Sequence, residues 1–250
     1  EEAIHGQDLD HNGLWSLKRE IQAYLRRYRG LTVPLNQIVI TSGYGSGLLL
    51  LLSLLDNKVF AMEDPGYSLN EKLFTNTSKK LLKIPIDQYG FSVADLEKTE
   101  ASVAITTPNH QFPTGIIMGV RRRQRLLNWA YEVEGRYIIE DDFDSNFKYT
   151  GQPIPALKAM DRHEKVILTG SFSQTMGSYL RISYLVLPKA LKEDLDRWDF
   201  KASEVPLVSQ IILQKFLREG YFAKHLNRVQ THYRKLREEV MDCLKKYPQV

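Results

Sequence analysis

The chain has 250 residues, 43% hydrophobic and 26% charged, with a formal net charge of +4, the composition of an ordinary globular protein. Acids and bases are interspersed, so this mild excess bears on solubility and does not by itself argue for a nucleic-acid partner. A single cysteine, Cys243, excludes an internal disulfide and a thiol-based metal site, and suits a reducing cytoplasm. The longest apolar run, residues 48–55 interrupted only by Ser53, is far too short to span a bilayer. The first five residues are neither basic nor apolar and do not read as a signal peptide. A start without methionine and an end just after a helical pattern read as a fragment of a longer protein.

In chain order, Leu17, Ile21, Tyr24 and Leu25 form one apolar stripe and predict a helix over 14–28. Residues 37–41 read as a buried strand, followed by a glycine-rich turn and a leucine-rich helix ending at residue 55. Further strands are predicted over 58–62, 81–84, 102–106, 136–140, 166–169 and 182–187, with a helix over 121–132. From Pro188 onward the pattern is helical and charged. One helix ends at a glycine cap, Gly220, and a long basic amphipathic helix covers 221–246. The division this suggests is a large domain over 1–188 followed by C-terminal helices over 189–250.

Short apolar strands alternating with helices predict an α/β fold, a mostly parallel sheet with helices on both faces. Such sheets bind ligands beyond the carboxyl ends of their strands. The polar and glycine-rich segments 42–47, 63–67, 107–115, 141–143 and 170–174 all follow strands, which points to one composite site.

Several residues there suit an anionic or heteroaromatic ligand. Asp141, directly after a strand, can pair with a protonated ring nitrogen, although an aspartate there also caps turns. Ser171 and Ser173 in Gly170-Ser171-Phe172-Ser173-Gln174, with Arg181 seven residues beyond Gln174, can hold a phosphate, or can equally form a surface turn beside a salt-bridged arginine. Ser42-Gly43-Tyr44-Gly45-Ser46-Gly47 opens a helix whose N–H groups can bind an anion, and it lacks the Lys-Ser/Thr ending of a Walker loop. No second histidine, cysteine or carboxylate stands at metal-ligand spacing from His110. Asp141 and Asp142 alternate across a strand and do not share an ion. No metal site is expected.

Five motifs in order carry a family resemblance: Glu63-Asp64-Pro65-Gly66-Tyr67; His110-Gln111-Phe112-Pro113-Thr114-Gly115; Ile139-Glu140-Asp141-Asp142-Phe143-Asp144-Ser145; Gly170-Ser171-Phe172-Ser173; and the run from Leu180 and Arg181 to Pro188. The stretch from Phe216 to Leu226 extends it. Together they resemble the aminotransferase-like domain of MocR/GabR-type transcriptional regulators, over essentially the whole chain. The resemblance implies a fold-type I pyridoxal-phosphate domain, the large domain of an aminotransferase, in a head-to-tail dimer. It also implies a winged helix-turn-helix on the N-terminal side and a small C-terminal subdomain, neither within these 250 residues; DNA would be met only through the former.

By position, the resemblance places Asp141 at the pyridine nitrogen and Tyr67 on the substrate side of the ring. Arg181 and Ser171 fall at the phosphate, with the backbone of Tyr44 and Gly45 and the Ser46 hydroxyl. His110 and Gln111 fall near the ring's edge. Three positions depart from the family pattern. Gln174 stands where the family has its Schiff-base lysine, Phe143 where it has a tyrosine bonded to the ring hydroxyl, and Tyr44-Gly45-Ser46 where it has Ala-Gln-Gln. A glutamine amide is not nucleophilic enough to form an imine, and Lys79, Lys80, Lys83 and Lys148 sit in solvated-looking stretches. The expectation is a non-enzymatic domain that senses pyridoxal 5'-phosphate, an amino acid, or the imine of the two, as a homodimer in the cytoplasm. The alternatives are a pyridoxal-phosphate-dependent aminotransferase, a lysine-to-glutamine variant of a coenzyme-binding regulator, or a dimerisation domain that has lost its ligand. The basic helix over 221–246 is either a solvated face or a phosphate contact.

Overall fold

A computed structural model describes residues 8, 10–147, 155–177, 180–198 and 203–247; the first five residues and Lys148, considered above, lie outside them. Strands β1 (Ile38–Thr41), β2 (Phe60–Asp64), β3 (Leu81–Asp87), β4 (Gly90–Phe91), β5 (Val103–Thr106), β6 (Tyr137–Asp142), β7 (Val166–Ser171) and β8 (Ser183–Val186) form one sheet in the order β1-β8-β7-β6-β5-β2-β3-β4. The pairs along β3-β2-β5-β6-β7 are parallel. β8 runs antiparallel between β1 and β7, and β4 antiparallel to β3. All seven predicted strands are present within a few residues. The two-residue β4 was not predicted, being too short to carry a period.

The helices are α1 (Trp15–Arg29), α2 (Gly43–Leu54), α3 (Ser68–Thr75), α4 (Val93–Leu96), α5 (Val120–Glu132), α6 (Leu157–Met160), α7 (Ser173–Met176), α8 (Lys189–Asp196), α9 (Leu207–Arg218) and α10 (Tyr221–Leu244). The central strands are buried on both faces and sort their residues strictly by parity. Val39, Met62, Ile105, Ile139, Ile167 and Leu185 join Leu48, Leu51, Leu52, Leu191 and Leu195 of α2 and α8. On the other face, Ile40, Leu168 and Tyr184 pack with Leu17, Ile21 and Leu25 of α1, Leu213 of α9 and Phe222 of α10. Ala61, Ala104 and Ile138 pack with Leu126, Leu127 and Trp129 of α5. Strands covered on both sides need no polar face, which is why they read as unbroken apolar runs. α1 ends at Gly30, in the left-handed conformation at φ 61°, the common way of closing a helix without a Cβ clash. Gly220 is likewise left-handed and separates α9 from α10. Among the described residues no helix is long and apolar enough to cross a membrane.

Two local expectations change. The glycine-rich segment after β1 is the first turn of α2, starting at Gly43. Asp141 does not follow its strand: β6 continues through Asp142, because Asp141 and Asp142 pair with Thr169 and Gly170 of β7.

Candidate functional site

The parity of β6 decides where its acidic end points. Ile139 and Asp141 fall on the α2 face; Ile138, Glu140 and Asp142 fall on the face covered by α1 and α5. Asp142 is fully engaged there. Arg29 of α1 brings Nη2 to 2.9 Å from Oδ1 and Nε to 2.8 Å from Oδ2. Asn109 Nδ2 donates to Asp142 Oδ1 at 2.6 Å and Ser145 Oγ to Oδ2 at 2.8 Å. Glu140 accepts the backbone N–H groups of Leu157 and Lys158, both at 2.8 Å.

Asp141 faces a cavity of about 220 Å³ at the carboxyl ends of the strands. Its one hydrogen bond among the described residues comes from Thr169 Oγ1, at 3.3 Å. Burial, followed by the negative charge of Asp142, raises its pKa to about 8, so the carboxyl is largely protonated at neutral pH. A buried, under-bonded carboxyl next to a cavity is suited to receive a basic or cationic ligand atom.

Tyr44, Gly45, Tyr67, Asp141, Phe143, Ser171, Gln174 and Arg181 all line this cavity, so the separate sequence motifs do converge. Three predicted residues, Ser46, His110 and Gln111, are not among its lining residues. Ser46 Oγ donates to the Ser42 carbonyl at 2.9 Å, so it is turned back onto its own helix. His110 Nδ1 lies 2.9 Å from both carboxylate oxygens of Asp144, on the flank of the site. Gln111 is also structural: its Nε2 donates to the Pro65 carbonyl at 2.8 Å and its Oε1 accepts from Thr114 Oγ1 at 2.6 Å. It thereby ties the turn after β2 to the turn after β5. Glu63 serves the same joint, accepting from the hydroxyls of Thr106 and Thr107, each at 2.6 Å.

Ser173, read with Ser171 as a phosphate holder, lines the cavity too, and so do Gly43, Leu69, Thr107, Phe112 and Gly170, none of them given a role from the sequence. Phe112 lay inside a recognised motif without being singled out; Leu69 carried no signal. Gly43 has a structural reason to be glycine. Its φ is +83°, and a Cβ there would lie 3.0 Å from Arg181 Nη2. The guanidinium therefore rests against bare backbone at the start of α2, where first-turn N–H groups have no helical partner.

The residues present fit a phosphate-bearing group. Arg181 is exposed at the cavity and makes no ion pair with a described carboxylate. Ser171 Oγ accepts from Ser173 N at 3.1 Å and keeps its own proton to donate. Gln174, in α7, is exposed at the cavity, and no lysine is among the described residues that line it. Lys79, Lys80 and Lys83 instead pair with Asp56, Glu100 and Glu71. No group of three or more metal-ligating side chains occurs among the described residues.

The chain belongs to the aminotransferase class I and II family, whose sequence profile matches residues 8–247. It is 35% identical over 236 residues to the HTH-type transcriptional regulator YdeL of Bacillus subtilis, covering 94% of this chain and 51% of that protein. It is 33% identical over 220 residues to the probable rhizopine catabolism regulatory protein MocR of Rhizobium meliloti, covering 87% and 44%. The chain thus spans about half the length of these regulators. Among solved structures, an archaeal alanine:glyoxylate aminotransferase superposes with a TM-score of 0.86 at 28% identity, covering 99% of this chain and 65% of that one.

Proposed function

We propose that the chain is the ligand-sensing domain of a MocR/GabR-type transcriptional regulator and binds pyridoxal phosphate, alone or joined to an amino acid, without turning it over. One observation carries the reading. A single cavity brings together Asp141, Ser171, Arg181 and the start of α2, with Gln174 and, among the described residues, no lysine in its lining.

Bound pyridoxal phosphate supplies an aldehyde that condenses with amines and a ring that withdraws electrons. Arg181 and Ser171 would take the phosphate, with the backbone N–H groups of Tyr44 and Gly45. Asp141 would share its proton with the ring nitrogen, and the positive charge gained there would stabilise the carboxylate that burial alone disfavours. Gln174 can donate or accept a hydrogen bond but cannot attack a carbonyl or carry a proton at neutral pH. The site therefore binds and orients, and lacks the amine that a transaminase uses. In the regulator, the domain would dimerise and bias a DNA-binding segment outside these 250 residues, a coupling between two sites. The cytoplasm is the compartment that this role implies.

Absorbance titration with equilibrium dialysis tests the proposal. Saturable binding of pyridoxal phosphate with the spectrum of a free aldehyde is expected. Absence of binding to the coenzyme and to its amino-acid adducts overturns the sensing role, and turnover of amino donors overturns the non-enzymatic one.

A further inference from the structure

Building on that reading, the shape of the cavity also bears on the chemical class of the effector. The Arg181 guanidinium lies beside Gly43, where a Cβ would come within 3.0 Å of it, and Ser171 Oγ accepts from Ser173 N. The lining also holds a continuous arc of four rings. Tyr44 and Tyr67 have centroids 6.0 Å apart, Tyr67 and Phe112 5.6 Å, and Phe112 and Phe143 6.2 Å, the last two pairs edge-to-face. Leu69 adds an aliphatic contact to the lining. Tyr67 is 38% exposed and Phe112 43%, so the arc presents aromatic surface to whatever enters.

Two hydroxyls at this arc, those of Tyr44 and Thr107, are engaged with other protein groups. The Tyr44 hydroxyl donates to Asn70 Oδ1 at 2.9 Å, and burial holds the phenol well above its ordinary pKa. Thr107 Oγ1 donates to Glu63 Oε2 at 2.6 Å and accepts from Phe112 N at 3.2 Å. Among the described residues Arg181 is the one basic side chain in the lining. A carboxylate arm laid against the arc would lose hydration without gaining a cation. An aromatic arm would bury apolar surface and gain offset or edge-to-face contacts.

We propose that the effector carries, beyond its phosphate-bearing ring, an apolar and preferentially aromatic arm seated against Tyr67 and Phe112, the two exposed rings of the arc. The probes are two non-hydrolysable adducts that share the ring, the phosphate and the α-carboxylate: N-(5'-phosphopyridoxyl)-L-phenylalanine and N-(5'-phosphopyridoxyl)-L-glutamate. Isothermal titration of the 250-residue chain should give at least about tenfold tighter binding of the phenylalanine adduct, the order expected from burying one aromatic side chain. Phe112→Ala should reduce that ratio several-fold. Phe112→Arg, at an exposed position, should move the ratio toward the glutamate adduct. Equal affinity for the two adducts, or a ratio unmoved by Phe112→Arg, overturns the aromatic-arm assignment while leaving coenzyme binding intact. Failure of both adducts and of pyridoxal phosphate to bind overturns this inference together with the reading it rests on.

Discussion

Asp141 and Asp142 are adjacent on β6 and equally buried, each with 5% exposure, yet they have opposite environments. Asp142 meets a guanidinium, an amide and a hydroxyl. Asp141 meets one threonine hydroxyl and a cavity. Nothing in the residue type distinguishes them; strand parity does, because consecutive side chains point to opposite faces. On the α1 face the fold satisfies the charge and gains a clamp that holds the end of β6 in place. On the α2 face it leaves the carboxyl unsatisfied, a local cost to stability of the kind binding sites retain.

The comparison breaks most sharply at Arg29. Arg29→Ala leaves Asp142 buried without its cation, and such a loss costs about 3–5 kcal/mol. Denaturant unfolding should record a drop of that size, and a change below about 1 kcal/mol would mean that the clamp is not what holds this strand end.

Asp141→Asn should act in the opposite direction, with a pH dependence that identifies its cause. Well below pH 4, folded and unfolded chains both hold the Asp141 proton, and it contributes nothing. As pH rises, the unfolded chain releases the proton first, so the folded chain loses stability until Asp141 itself ionises near pH 8. Each tenfold difference in proton affinity between the two states is worth about 1.4 kcal/mol. The asparagine variant should therefore gain up to a few kcal/mol over the parent between pH 4 and pH 8, then level off. Unfolding midpoints measured across this range would show parallel profiles if Asp141 were already satisfied in the fold.

Arg181→Ala should leave stability within about 0.5 kcal/mol, since the side chain is exposed. Its effect belongs to the ligand. Loss of a charge-assisted phosphate contact, about 1.5–3 kcal/mol, should weaken pyridoxal phosphate binding about tenfold to a hundredfold in dialysis, and unchanged affinity would remove Arg181 from the site.

Much of this architecture was legible in the sequence because the strands are buried on both faces and therefore appear as compact apolar runs. The site was legible as a set of strand-following motifs, and the structure gathers most of them around one cavity. What sequence could not supply was direction. His110 sits in a motif that reaches the cavity through Phe112, yet its ring turns to Asp144. Ser46 belongs to the glycine-rich turn, but a serine within a helix readily back-bonds to the carbonyl four residues earlier, and it does so here. Leu69 reaches the cavity through tertiary packing that leaves no trace in local pattern. The aromatic arc, similarly, joins residues from four separate segments.

The most direct test of the central claim compares the parent chain with Gln174→Lys. Each is saturated with pyridoxal phosphate, reduced with borohydride and examined by intact mass and peptide mapping. The parent should keep its unmodified mass, while Gln174→Lys should gain one coenzyme on the peptide containing residue 174. Stoichiometric labelling of a lysine in the parent, or a Gln174→Lys chain that stays unlabelled, would contradict the claim.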